Sequence, residues 1–369
     1  QCHLIHGDRL KRFMQAISSI PEGEDAVSLQ IGNYSIDEDA TAWLNGNKLF
    51  QRHAVIVGST GSGKSWCVAK ILEQVASLKS ADAILFDIHG EYSTLQGDSF
   101  SHLKVAGPNE TIGEGTLFLP YWLLTYEEML SLMLDRSDNN APNQAMMFSS
   151  AVIEGKKQFL IDADKAEMEA NITLDSPIPY NLDALLFFLK SKDEEMVPGA
   201  KANTEKQGPY FGKLTRFIQR LETKQKDKRL NFMFASEDDL LSYDYMSVLC
   251  SKLMLPSVAG KKGVKIIDFS EVPSDILPLI VSLIARIIFS VQQWTTVEHR
   301  HPIAIFCDEA HLYIPANTEK SIDDASLVTF ERISKEGRKY GIGLVVISQR
   351  PSEVNRTVLS QSNNFIAMR

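Results

Sequence analysis

Apolar residues along this chain fall into two kinds of segment, and the two alternate. Short unbroken runs, His53–Val57, Ala83–Asp87, Val264–Phe269, Ile303–Asp308 and Gly343–Ser348, have the continuous apolar character of strands buried on both faces of a parallel sheet. Between such runs lie stretches with apolar residues at helical spacing, Trp66–Leu78 among them. The alternation predicts an α/β fold on a mostly parallel sheet. The gap between the second and third runs is too long for one crossover helix. It reads as helical over Tyr126–Leu134, Ala145–Phe159, Leu182–Lys192 and Phe211–Lys224, with Pro142, Pro177, Pro179 and Pro198 in the polar spacers. Residues 121–261 are therefore expected to be a helical insertion that splits the sheet domain into 46–120 and 262–369. Residues 1–45 show short apolar alternation in Ala26–Tyr34 and turn residues, as for the tail of an upstream domain with its linker. The apolar run Ile276–Phe289, interrupted by Pro278, Ser282 and Arg286, is too short for a bilayer. No cationic and apolar leader opens the chain, which begins at Gln1 and stops at Arg369, so both ends read as cut.

One loop carries a strong chemical signal. Gly58-Ser59-Thr60-Gly61-Ser62-Gly63-Lys64-Ser65 fits the pattern G-x-x-x-x-G-K-[ST] between a strand and a helix. Gly61 and Gly63 let the backbone curl so that N–H groups converge on phosphates, and the helix N-terminus adds positive potential. Lys64 is expected to reach the β- and γ-phosphates of ATP, and the Ser65 hydroxyl to complete Mg²⁺ coordination. The candidate nucleotide-binding residues are Ser59, Thr60, Gly61, Ser62, Gly63, Lys64, Ser65 and, opening the helix, Trp66.

A second signal ends the Ile303–Asp308 run in two adjacent carboxylates. Asp308 is expected to hold the magnesium ion through water, while Glu309, on the opposite side of the pleat, polarises the attacking water. A GTPase switch would place glycine after the aspartate, and none is here; the pair points to an ATPase. Gln349 stands at the C-terminal edge of the Gly343–Ser348 strand, where ligands of doubly wound sheets sit. With these neighbours it is a candidate sensor of the γ-phosphate, although a lone Gln at a strand end is usually a turn residue.

Taken in order and spacing, the phosphate loop, Leu85–Tyr92 with its D-x-H-G-E-Y, Ile267–Ser270, Asp308–His311, Glu336–Gly341 and Ser348-Gln349-Arg350-Pro351-Ser352 resemble the HerA family of hexameric DNA-translocating ATPases. The resemblance covers residues 31–369, and the D-x-H-G-E-Y and S-Q-R-P-S segments are much narrower than the phosphate loop. It implies a RecA-like P-loop ATPase core with a parallel sheet and an additional strand, a helical insertion, and an N-terminal β-barrel of which residues 1–45 would be a remnant. It also implies a homo-hexameric ring around double-stranded DNA. The partner so implied is a nuclease of the NurA type or, in bacterial antiviral defence operons, a sirtuin-type or other effector. Most of the barrel, and the segment that usually follows the position of Arg369, are absent from this sequence. Asp87, His89 and Glu91 match the D-x-H-G-E-Y segment near the nucleotide, where they would orient water or a neighbouring subunit's arginine; a capped strand end is the alternative for His89 and Glu91. A ring ATPase needs a cation supplied in trans. Arg338 is the preferred candidate and Arg332 the alternate.

Composition narrows the partners. The 369 residues are 44% hydrophobic and 23% charged with net charge −9, which excludes wholesale disorder and a histone-like coat but leaves room for a local basic channel. Cys2, Cys67, Cys250 and Cys307 share no metal-ligand spacing, as for reduced thiols in a cytoplasmic protein with no membrane partner. Lys213, Arg216, Arg220, Lys224, Lys226, Lys228 and Arg229 form a basic stretch able to track phosphates or, with Glu222 and Asp227 interleaved, to be a solvated helix face. Lys261, Lys262 and Lys265 form a second cluster, expected in a loop before a strand. Without a zinc-finger, helix-turn-helix or RNP pattern, DNA binding is expected to be backbone-directed. Two other function classes remain: a nucleotide-gated ring scaffold that regulates a nuclease without translocation, and a small-metabolite kinase, which the Asp-Glu pair and Gln349 disfavour.

Overall fold

The computed structural model describes residues 5–18, 28–35, 37–78, 82–201, 203–235, 237–254, 263–318 and 321–369. Cys2, Lys261 and Lys262 lie outside them. The chain divides into two units, Gln1–Lys104 with Cys250–Ser270 and Leu277–Arg369, and Val105–Leu249 with Glu271–Ile276.

The first unit is built on a parallel sheet. Its strands in this unit are β1 (Ala54–Gly58), β2 (Asp82–Asp87), β3 (Phe100–Val105), β4 (Val264–Asp268), β5 (Ile303–Cys307), β6 (Ile342–Ser348) and β7 (Asn364–Met368), arranged β7-β1-β6-β5-β2-β4-β3. Every second residue turns to the same face. Ala54 and Ile56, Ala83 and Leu85, Val264 and Ile266, Ala304 and Phe306, and Val345 and Ile347 thus form one apolar layer with Val68, Ile71, Leu72 and Val75 of the Lys64–Val75 helix. The antiparallel hairpin Ser28–Tyr34/Asp37–Asn45 belongs to this unit: Leu29 enters the same core, and the Gln30 N–H donates to Gln74 Oε1 of that helix at 2.7 Å.

The five apolar runs become β1, β2, β4, β5 and β6, whereas β3 and β7 are strands that periodicity did not announce. β3 reads Phe-Ser-His-Leu-Lys-Val, and half of its side chains are polar. In β7, Phe365 and Ala367 are exposed, so its apolar run is only half buried. The Ile276–Phe289 run is also longer than its apolar residues suggested. It forms the helix Leu277–Trp294, which by length and composition is long enough to cross a membrane. In the structure it is a core helix: twelve of the thirteen residues from Leu277 to Phe289 are buried, Arg286 excepted. Pro278 sits in the first turn, where no N–H partner is needed, and the Ser282 hydroxyl bonds back to the Leu279 carbonyl at 2.9 Å.

The second unit is mainly helical, with Tyr126–Met133, Ala141–Asp162, Leu182–Asp193 and Thr215–Lys226. Thr125 and Glu128 form a reciprocal capping box on the first, and Pro142 falls in the opening turn of the second. Phe148 and Phe217 meet edge-on at 5.5 Å in its core, and the Trp122 indole donates to the Leu240 carbonyl at 2.9 Å. A short hairpin, Met196–Pro198 with Glu205–Gln207, also belongs to it.

Gly343 shows how tightly the first unit is closed. A Cβ there would stand 1.9 Å from the Phe50 carbonyl oxygen, so backbone must move to admit one. Gly343→Ala should cost about 2 kcal/mol, read as an earlier denaturant midpoint for the first unit.

Candidate nucleotide site

Strand order and register bring the sequence signals together. β6 lies between β1 and β5, pairing Ser348 with Val57 and Val346 with Cys307. The residues that follow these strands, Gln349, the phosphate loop and the Asp308-Glu309 pair, therefore emerge side by side at the carboxyl edge of the sheet. Gly61 and Gly63 have φ of +79° and +86°, in the left-handed region that glycine enters without strain. A Cβ on Gly58 would lie 2.3 Å from Ser62 Oγ, so the Ser62 side chain would have to turn aside to admit one. Gly63 caps the helix with backbone alone, which leaves the first-turn N–H groups without a side-chain acceptor.

Lys64 and Glu309 are both buried, and Lys64 Nζ donates to Glu309 Oε1 at 3.1 Å. The same oxygen accepts from Gln349 Nε2 at 2.6 Å, and Gln349 Oε1 accepts from the Thr60 hydroxyl at 2.6 Å. One chain of contacts thus links phosphate loop, amide and carboxylate. Glu309 Oε2 makes no hydrogen bond among the described residues and stands 3.3 Å from His311 Nδ1, which is also 3.3 Å from Ser348 Oγ. Burial holds the His311 pKa below its ordinary value, so this imidazole is neutral at pH 7. The sequence placed Glu309 across the pleat from Asp308. In the structure β5 ends at Cys307, and Glu309 turns into the left-handed region at φ +44°, costing about 1 to 2 kcal/mol for a residue with a side chain.

Asp308 is 2% exposed, its Oδ1 has no hydrogen-bond partner among the described residues, and burial followed by the adjacent Glu309 pushes its pKa up to about 7. Such an oxygen fits a metal ion: Asp308 and the Ser65 hydroxyl are the groups that would hold Mg²⁺. Mg²⁺ takes few protein ligands and keeps waters and phosphate oxygens.

The remaining expected residues divide. Asp87 is buried and its carboxylate accepts the N–H groups of Glu91 and Tyr92, both at 3.0 Å; burial foremost raises its pKa. Glu91 Oε2 accepts from the Ser65 hydroxyl at 3.1 Å. His89, Ser59 and Thr60 are exposed, and Trp66 is 84% exposed. Arg338 and Arg332 do not join the site of their own chain. Arg338 precedes β6, whose seven residues span about 20 Å before Gln349. It lines a cavity with Phe50, Val75 and Ile342. Arg332 lies over the Phe289 ring at 4.9 Å and is 3.6 Å from Glu336. Sequence reasoning assigned no role to His311 or Tyr92. Both lie within motifs it used, Asp308–His311 and Leu85–Tyr92.

The basic stretch is largely spoken for within the second unit. Arg220 pairs with Asp135 at 2.7 Å, Arg229 with Asp227 at 2.7 Å, Lys224 with Asp275 at 3.6 Å, Arg216 with Asp138 at 4.0 Å, and Lys213 donates to the Pro209 carbonyl at 2.7 Å. That is the pattern of a solvated, ion-paired face. Lys265, grouped with a loop cluster but also inside the strand run Val264–Phe269, lies in β4, buried, with its ammonium on the Lys252 carbonyl.

Comparison with known proteins agrees with this geometry: residues 29–288 match the family described as helicase HerA, central domain. The chain belongs to this HerA family. Among its relatives, a probable helicase of Methanocaldococcus jannaschii is 25% identical over 361 residues, covering 93% of this chain and 61% of its own length. The DNA double-strand break repair helicases HerA of Saccharolobus solfataricus and Pyrococcus furiosus are 25% and 24% identical, covering 92% and 94% of this chain and 58% and 61% of their own lengths. The chain thus spans about three fifths of these relatives. In fold it is similar to VirB4 of Thermoanaerobacter pseudethanolicus, with a TM-score of 0.54 at 16% identity over 93% of this chain and 83% of the other. The bacterial conjugative coupling protein TrwB gives 0.53 at 15% over 99% and 77%. The HerA-family core seen here is RecA-like, with β6 as the strand inserted between the phosphate-loop strand and the acidic strand.

The raised Asp308 pKa fixes a sign. Between the ordinary carboxyl range and about pH 7 the folded protein holds a proton that the unfolded chain gives up, so rising pH erodes stability until the folded group ionises. Asp308→Asn removes this ionisation. Without metal or nucleotide its melting temperature should exceed that of the parent at pH 8, and the gap should narrow by pH 5.

Proposed function

We propose that this chain is the motor core of an ATP-driven DNA translocase: a P-loop ATPase that binds ATP with Mg²⁺ and acts on double-stranded DNA as a homo-hexameric ring, with a nuclease or other effector as partner. The observation that carries the reading is the buried contact of Lys64 and Gln349 with one oxygen of Glu309. The nucleotide phosphates compete for Lys64, and a Glu309 relieved of its cation is a base able to take a proton from the attacking water. Gln349, held by Thr60, orients that carboxylate and registers the occupied loop. Mg²⁺, when bound at Ser65 and Asp308, neutralises charge on the β- and γ-phosphates. In a ring, Arg338 of the neighbouring subunit, or Arg332, stabilises the transition state.

Several relatives bear on the reading. TrwB has been solved with a non-hydrolysable ATP analogue and with ADP and Mg²⁺, which suits the same ligands here. Relatives carrying the name DNA double-strand break repair helicase support duplex DNA as the track.

Two measurements test this. Glu309→Gln should keep ATP affinity while turnover falls at least about 100-fold, whereas Lys64→Ala should lose both; near-normal turnover in Glu309→Gln would contradict the role given to that carboxylate. ATP turnover of the unaltered chain should rise with long duplex DNA at low salt, fall back as salt is added, and be indifferent to sequence. Images with ATP should show six-membered rings. Rings whose turnover no duplex changes would favour the nucleotide-gated scaffold.

A further inference from the structure

The turn after β2 presents two side chains to the magnesium serine that the hydrolysis chemistry leaves without a task. Both N–H groups of Glu91 and Tyr92 are pinned by the Asp87 carboxylate at 3.0 Å, and Gly90 just before them has φ +72°, so this turn has one well-defined shape. It delivers the Glu91 carboxylate to Ser65 Oγ at 3.1 Å. It also buries the Tyr92 ring, 2% exposed, with a hydroxyl that makes no hydrogen bond among the described residues. Asp308, Asp87 and Glu91 act on that hydroxyl through their charge, and Ser65 is a polar neighbour able to bond it. Asp308 Oδ1 is another buried polar atom without a partner among the described residues, as are Ser62 Oγ and Glu309 Oε2. The phenol donates and Asp308 Oδ1 accepts, yet they do not bond each other. Buried polar groups seldom stay unpaired. A water that accepted from the phenol and donated to the carboxylate would satisfy both. A groove lined by Ser65, Glu91, Tyr92, Trp66 and Leu95 gives a hydrated ion an approach from solvent.

We propose that Glu91 and Tyr92 are positioning residues for a hydrated divalent cation: Glu91 takes the Ser65 hydrogen and so turns the oxygen lone pairs to the ion, and Tyr92 anchors the water through which Asp308 acts on it. The proposal rests on the ATPase reading above. Partners of metal ligands of this kind affect metal affinity about 10- to 100-fold.

The test uses the whole chain saturated with a non-hydrolysable ATP analogue, with Mn²⁺ titrated in and free Mn²⁺ read by electron paramagnetic resonance. Analogue binding in EDTA is measured alongside. Glu91→Ala and Tyr92→Phe should each weaken Mn²⁺ binding about 10-fold while metal-free analogue binding stays within about twofold. Glu91→Gln keeps an acceptor for Ser65 and should recover most of the loss. Mn²⁺ affinity within about twofold of the parent in both variants would overturn the proposal. So would an equal loss of metal-free binding, the mark of a merely structural role. Failure of the ATPase reading looks different, because the unaltered chain would then show no metal-dependent binding of the analogue.

Discussion

The buried contact of Lys64 with Glu309 is the constraint to which the rest of the first unit answers. Two opposite charges taken out of water need a short separation and added hydrogen bonds to offset the hydration they lose, and here one oxygen of Glu309 has both while Oε2 has no hydrogen bond among the described residues. The separation is 3.1 Å, and Gln349 shares the accepting oxygen. Meeting these terms requires that three segments distant in sequence end at the same place. It also forces Glu309 into a left-handed backbone that a residue with a side chain adopts only when its surroundings insist.

The sheet supplies that insistence. β1, β6 and β5 are adjacent, parallel and apolar on both faces, so a one-residue slip would turn buried side chains away from their layer. Register is fixed by the core, and the loops beyond the carboxyl ends inherit it. Gly343 against the Phe50 backbone shows this tightness at the amino end of β6, where no larger residue fits without moving the chain. The ordering of the site is therefore a by-product of packing remote from it, and substitutions in the core are expected to be felt at Glu309.

Charge behaves differently in the two places. At the carboxyl edge a few buried groups dominate: Asp308 holds its proton up to about pH 7 because burial and Glu309 both oppose its ionisation. On the helix Thr215–Lys226 several charges lie in the open and are paired, Arg220 with Asp135, Lys224 with Asp275 and Glu222 with Lys190. Exposed pairs of this sort contribute little each and leave a weak field for a polyanion.

The sequence alone determined the elements whose signal is local. An unbroken apolar run is enough to name a buried strand, and G-x-x-x-x-G-K-[ST] is enough to name the phosphate loop, because its glycines answer to backbone angles within eight residues. It also paired Asp308 with Glu309 and picked out Gln349. Tertiary structure decided what depends on neighbours far along the chain. β3 and β7 are strands because β4 and β1 offer them a ladder, although their own side chains are half polar or half exposed. The basic stretch is an ion-paired face because Asp135, Asp138 and Asp275 come back to it. His311, Tyr92 and the contact of Glu91 with Ser65 have no signature in spacing, since hydrogen bonds and desolvation act between atoms that only the folded sheet brings within about 3 Å.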